Sequence, residues 1–167
     1  MKTNLQKYIM LVGLPACGKS TWANDYVLKN LEMGFQVIST DSIIEEKCLQ
    51  ESLDYKESHS KYIEFAVNEM ERRFIMHIKN RINIIHDQTN LTVKTRKKHL
   101  NKVKNYYKSA IVFTVDKEEL LQRFEKRKIK TGKDIPNFVI EKMAQNFEFP
   151  TNKEGFDKII NIRDDKL

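Results

Sequence analysis

The chain has 167 residues, 40% hydrophobic and 32% charged, which fits one folded domain, residues 1–167, and lies outside the disordered range. Thirty Lys and Arg against twenty-three Asp and Glu give a formal charge of +7, a balance that favours polyanionic partners. The early apolar run Tyr8 to Val12 is far short of the roughly 18 residues of a membrane span, no signal region precedes it, and Cys17 and Cys48 form no C-x-x-C pair, so a reduced, cytoplasmic protein without membrane span, disulfide framework or zinc site is expected.

In chain order, Lys7 to Val12 stops at Gly13, as a buried parallel strand does at a glycine-rich loop. From Lys19, the residues Trp22, Tyr26, Val27 and Leu31 recur at helical spacing up to Gly34, which suits the left-handed backbone past a helix end. Phe35 to Ser39 reads as a second strand, with Asp41 just beyond it. Between Lys56 and Asn80, Tyr62, Phe65, Ala66, Met70, Phe74 and Ile78 predict one long amphipathic helix, with Phe65 and Phe74 in the core. A third strand, Ile82 to His86, closes at Asp87.

A basic helix from Val93 to Tyr107 and a strand from Ala110 to Val115 come next. A helix from Asp116 or Lys117 is expected to end near Lys126, followed by a mobile loop from Arg127 to Pro136. Asn137 to Phe147 and Phe156 to Ile162 supply a last helix and strand. This alternation predicts an α/β fold, a central parallel sheet with helices on both faces.

Gly13-Leu14-Pro15-Ala16-Cys17-Gly18-Lys19-Ser20-Thr21 matches G-x-x-x-x-G-K-[ST] between a predicted strand and a predicted helix. Such a loop turns backbone N–H groups around phosphate oxygens, its lysine reaches the β- and γ-phosphates, and its hydroxyl meets Mg2+. Gly13, Pro15, Ala16, Cys17, Gly18, Lys19, Ser20 and Thr21 are therefore candidate binding residues for ATP or GTP. Cys17 is either a small wall of the loop or a thiol activated by Lys19 and the helix end.

These motifs, with Asp41, the run Asp87-Gln88-Thr89-Asn90-Leu91, the pair Arg123 and Arg127, and the segment Gly132-Lys133-Asp134-Ile135-Pro136, resemble the polynucleotide kinase family of P-loop phosphotransferases, over Tyr8 to Ile162. Lys133 through Met143, Pro150-Thr151 and Glu154-Gly155-Phe156 also resemble kinase domains of tRNA-repair enzymes. The resemblance implies a kinase with a basic lid that phosphorylates 5′-hydroxyl ends of RNA or DNA, with Asp41 as general base and Arg127 as transition-state stabiliser beside Lys19. In a phage member of the family an arginine that contacts substrate phosphate stands three residues after the aspartate, where this chain has Ile44.

Alternatives stand beside each role. Asp41 is a base or the N-cap of a helix from Ser42. Asp87 serves the metal, with Ser20, or orients substrate; Thr89 and Asn90 bind the acceptor or form an Asx-type turn. Arg123 and Arg127 neutralise phosphates, or Arg123 pairs with Glu119 on a solvated face. Lys94, Arg96, Lys97 and Lys98 lie in a stretch, 93–108, without one acid, and track a nucleic-acid backbone, Arg96 and Lys97 foremost, or form a solvated face over Val93, Leu100, Val103 and Tyr107. His59, His77, His86 and His99 read as structural or exposed. Rival functions are a kinase of small alcohols or hydroxymethylated nucleobases, and a nucleotide-gated RNA-binding module.

Overall fold

Five strands, β1 (Lys7–Val12), β2 (Gln36–Ile38), β3 (Ile84–Asp87), β4 (Tyr107–Thr114) and β5 (Lys158–Arg163), pair in a computed structural model that describes residues 5–163. Their order is β2-β3-β1-β4-β5, with every pairing parallel. The helices are α1 (Lys19–Lys29), α2 (Thr40–Glu51), α3 (Tyr55–Lys79), α4 (Val93–Leu100), α5 (Lys117–Thr131) and α6 (Asn137–Gln145). Among the described residues, no helix is long and apolar enough to cross a membrane.

β1 is buried from Tyr8 to Val12 because the sheet is covered on both faces. Tyr8, Met10 and Val12 pack on one side with Ile43 and Ile44 of α2, Ala66, Met70 and Phe74 of α3 and Leu100 of α4. Ile9 and Leu11 pack on the other with Ala23 of α1, Leu120 and Phe124 of α5 and Ile140 of α6. β1 lies between β3 and β4, so the loop after it opens at the sheet's centre, and the register places Leu11 opposite Asp87. The end of β1, where the strand order reverses, is where open α/β sheets bind ligands.

Several elements differ from expectation. α2 arises from a stretch with only Ile43 and Ile44 buried, too short an apolar signal to show helical period. Ser39, not Asp41, is its N-cap, which leaves Asp41 in the first turn. α4 ends at Leu100 rather than Tyr107, and β4 starts there; Val103 and Tyr106 fill the core from the connecting turns. α5 continues to Thr131 and stops at Gly132 with φ +69°, because nothing before that glycine breaks a helix, so Arg127 belongs to a helix and not to a mobile loop. Phe65 is exposed: Ala66, Met70 and Phe74 set the buried stripe of α3, and Phe65 turns out toward the ammonium of Lys47, 5.2 Å from its ring.

Of the histidines, His59 is exposed, while His77, His86 and His99 are buried. Burial keeps His86 neutral, with its pKa lowered to about 3, and lowers His99 to about 4. His86 Nδ1 accepts from the Tyr8 hydroxyl at 2.7 Å; its Nε2 lies 3.3 Å from Gln88 Oε1, and the Gln88 amide donates to Thr40 Oγ1 at 3.3 Å. This chain ties the core to the residues beside Asp41 and Asp87.

Candidate active site at the strand ends

The loop after β1 has the backbone its sequence demands. Gly13 has φ +156°, and a Cβ there would stand 2.8 Å from Cys17 Sγ and 2.9 Å from the Phe113 carbonyl oxygen. Gly13→Ala is expected to cost about 1–3 kcal/mol, measured by denaturant unfolding, and to weaken nucleotide binding in calorimetry. Ala16 (φ +59°) and Gly18 (φ +94°) are left-handed, the alternation that gathers N–H groups into an anion-binding concavity. α1 begins at Lys19 with no side-chain cap and no acid in its first turn, so its N–H groups stay available to phosphate.

Lys19 is buried and arches back over the loop, its ammonium donating to the carbonyls of Gly13 at 3.0 Å and Leu14 at 2.6 Å. It also lies 3.6 Å from Cys17 Sγ. Burial pushes the Cys17 thiol up against the opposing pull of Lys19, so Cys17 is the small wall of the loop rather than an activated nucleophile. Pro15 is half-buried in the same turn and Thr21 is exposed in the first turn of α1.

Ser20 Oγ donates to Asp87 Oδ2 at 2.6 Å. Burial raises the Asp87 pKa, while the Ser20 hydrogen bond and the charge of Lys19 pull it down. A hydroxyl and a carboxylate at the mouth of a phosphate loop are the hard-oxygen pair that Mg2+ takes together with substrate oxygens and water, so the donor set fits that ion.

Asp41 lies on the same edge of the sheet, since β2 runs parallel beside β3, and its charge acts on Asp87. Its Oδ2 accepts from Arg127 Nη2 and from Lys133 Nζ, each at 3.2 Å, and its Oδ1 accepts from the Tyr55 hydroxyl at 3.1 Å. Burial works to raise the Asp41 pKa, but Lys133, Arg127 and Tyr55 together outweigh it and hold the carboxyl below its ordinary value. Lys133 is buried, also donates to Glu45 Oε1 at 2.5 Å, and stands 4.4 Å above the Tyr55 ring. Arg123, one turn before Arg127, puts its Nε and Nη2 on Glu119 at 3.1 and 2.6 Å.

The geometry thus brings the phosphate loop, Ser20, Asp87, Asp41 and Arg127 to one opening. It moves two other candidates into the scaffold. Arg96 is 0% exposed: Nε and Nη2 grip Glu154 at 2.7 and 2.9 Å, and Nη1 donates to the carbonyls of Asn90 and Leu91. Four of its five N–H donors are engaged inside the protein and the side chain does not reach the surface, so the nucleic-acid role expected of Arg96 is corrected to an internal brace. Asn90 is buried at φ +47° with its amide donating to the Leu11 carbonyl at 2.8 Å; it ties the β3 loop to β1 instead of meeting an acceptor. Thr89 is half-buried and its carbonyl accepts from the Gly13 N–H. Lys94, Lys97 and Lys98 are exposed on α4. Ile44 is in the core, so its position offers no substrate contact. Sequence reasoning assigned no role to Tyr55, Glu45 or Gln88, and quoted Lys133 only within a motif; no local pattern marks them.

The sequence matches the model of an AAA domain family, AAA_33, over residues 9–150. It is 29% identical over 151 residues to the L-seryl-tRNA(Sec) kinase of Methanococcus maripaludis, an alignment spanning 89% of this chain and 55% of the relative. It is 25% identical over 154 residues to the heterogeneous nuclear ribonucleoprotein U-like protein 2 of Homo sapiens, covering 90% of this chain and 21% of that protein. The fold superimposes on a chain of the Pnkp1/Rnl/Hen1 RNA repair complex with a TM-score of 0.69 and 29% identity, covering 93% of this chain and 48% of the other. The chain spans about half, or less, of the length of these proteins.

Proposed function

Because this chain belongs to the AAA_33 family of P-loop kinase domains, we propose that it transfers the γ-phosphate of ATP to the 5′-hydroxyl end of an RNA or DNA strand. The observation that carries this reading is Asp41: an ionised carboxylate at the mouth of the phosphate loop, opposite the Ser20–Asp87 pair, with Arg127 already at its side.

When bound, the nucleotide supplies the phosphoryl group and Mg2+ neutralises part of its charge. The chain's own residues do the rest. Backbone N–H groups from Ala16 to Ser20 hold the phosphates, Lys19 releases its loop carbonyls to reach them, and Ser20 and Asp87 would hold the metal. Asp41 accepts the proton of the attacking hydroxyl, which is a weak nucleophile until that proton leaves. Arg127 stabilises the charge that grows on the transferred group, and Arg123 extends the basic face of the lid toward the nucleotide. Lys97, with Lys94 and Lys98, offers exposed ammonium groups to an acceptor's phosphates. The named activity of the seryl-tRNA(Sec) relative and the RNA repair complex support an RNA acceptor.

The test is transfer of labelled γ-phosphate from ATP with Mg2+ to RNA and DNA oligonucleotides carrying 5′-hydroxyl or 5′-phosphate ends. Label on hydroxyl ends only, lost in Asp41→Ala, is the expected result. A second reading, a seryl hydroxyl carried by tRNA, is favoured by the 29% identity to the seryl-tRNA(Sec) kinase, so seryl-tRNA is an arm of the same assay. Label there or on small alcohols, with none on strand ends, overturns the polynucleotide reading. ATP binding without transfer to any acceptor overturns the enzyme and leaves the nucleotide-gated RNA-binding module.

A further inference from the structure

Among the described residues, Asp41 has two cationic neighbours, and both come from the lid side of the molecule. α2 itself offers none there, since Ile44 is sealed in the core and Lys47 turns away to Gln50 and the rings of Tyr62 and Phe65. The two cations are held differently. The Arg127 side chain is 24% exposed, and its one hydrogen bond to Asp41 leaves it able to move to a phosphate. The Lys133 side chain is 8% exposed and has two further partners, Glu45 Oε1 and the face of Tyr55, which keep it in place whatever Arg127 does.

The backbone aims Lys133 there. Gly132 ends α5 with φ +69°, so the next residue leaves the helix axis and turns toward α2. Thr131 Oγ1 accepts from the Lys133 N–H at 3.3 Å and donates to the Arg127 carbonyl at 2.8 Å, and Lys128 pairs with Asp134 at 3.0 Å across the same corner. A buried ammonium is costly unless paired, and here two carboxylates and an aromatic face compensate it. An ammonium so restrained fixes the carboxylate it touches.

We propose that Lys133 is the positioning residue of the phosphoryl-transfer reaction, setting the orientation of the Asp41 carboxylate from the lid. This rests on the reading of Asp41 as general base. The groups facing Asp41 are Lys133 after α5, Arg127 on α5, Tyr55 on α3, Glu45 on its own helix and, farther off, Asp87 at the end of β3. Of these, Lys133 alone joins the carboxylate to both α2 and α3 through partners other than Asp41.

The test compares Lys133→Met, Lys133→Arg and Glu45→Gln in the full chain, alone and on Asp41→Asn, with ATP and the acceptor that the transfer assay identifies. Lys133→Met is expected to lower kcat about tenfold or more while KM for ATP stays within about threefold. Lys133→Arg recovers most of the loss, and Glu45→Gln, whose amide oxygen still accepts from Lys133 and which leaves the Lys133–Asp41 contact intact, stays within about threefold. On the Asp41→Asn background, Lys133→Met adds less than about threefold, because its target is already gone. Equal losses in Lys133→Met and Glu45→Gln, or full multiplication on Asp41→Asn, overturn the inference and leave Lys133 as a tie between lid and α2. Should Lys133→Met fail to fold, Lys133→Ser, which keeps the position polar but is too short to reach Asp41, is read against Glu45→Gln in the same way. Wild-type kcat in Asp41→Asn overturns the base reading itself, a separate outcome.

Discussion

Asp41→Asn is expected to lower kcat about 100- to 10,000-fold, the usual contribution of a general base, with KM for ATP within about threefold. Asparagine keeps the size of the side chain, and its Oδ1 still accepts from Tyr55 or Lys133. What is lost is the proton acceptor, so the step that fails is activation of the hydroxyl and not assembly of the nucleotide site. Single-turnover transfer of labelled phosphate separates the two, because a binding defect is overcome by added ATP and a missing base is not. Since Lys133 and Arg127 hold Asp41 below its ordinary value of 3.8, the base is ionised across the neutral and mildly acidic range. The same depression gives a stability contribution that is present above pH 3.8, the unfolded carboxyl's value, and lost as pH falls through the lower folded one. Asp41→Asn therefore flattens the acid end of the unfolding curve as well as the activity.

Arg96→Ala is expected to destabilise the fold by about 3–5 kcal/mol, because it strands a charge in the interior. The side chains of Arg96 and Glu154 are 0% and 3% exposed, and removing the guanidinium leaves the carboxylate, among the described residues, with only the Thr151 N–H, and leaves the carbonyls of Asn90 and Leu91 without that donor. Urea unfolding of the variant checks the magnitude. Arg96→Met combined with Glu154→Leu is expected to recover most of the loss, since replacing both partners removes the uncompensated charge. If the protein binds single strands, the dependence of log affinity on log salt separates this brace from a phosphate contact. Lys97→Ala is expected to reduce the slope by about one, whereas Arg96→Met with Glu154→Leu leaves it unchanged.

The placement of Arg96 shows where a linear reading ends. The charge run 93–108 is visible in the sequence as an excess of cations, but a helix presents its residues around a full turn. Val93 to Leu100 turns Arg96, His99 and Leu100 inward, and Lys94, Lys97 and Lys98 outward. Which cation is buried depends on Glu154, 58 residues along the chain, arriving beneath α4. Asn90 is a similar case: the turn was legible, while the Leu11 carbonyl that consumes its amide belongs to a strand 79 residues earlier.

The sequence by itself determined the phosphate loop, the alternation of strands and helices, and the placing of Asp87 at the end of one apolar strand and of Asp41 just past another. Each of these is local: a glycine at a close approach, a strand buried on both faces, a helix opening on unpaired N–H groups. Only the tertiary structure decided what stands beside those residues. Asp41 takes its partners from α3, from α5 and from the corner after Gly132, so its electrostatic environment comes from residues 14, 86 and 92 positions away. Charges act through space, and chain order says little about which of thirty cations a fold brings to one carboxylate.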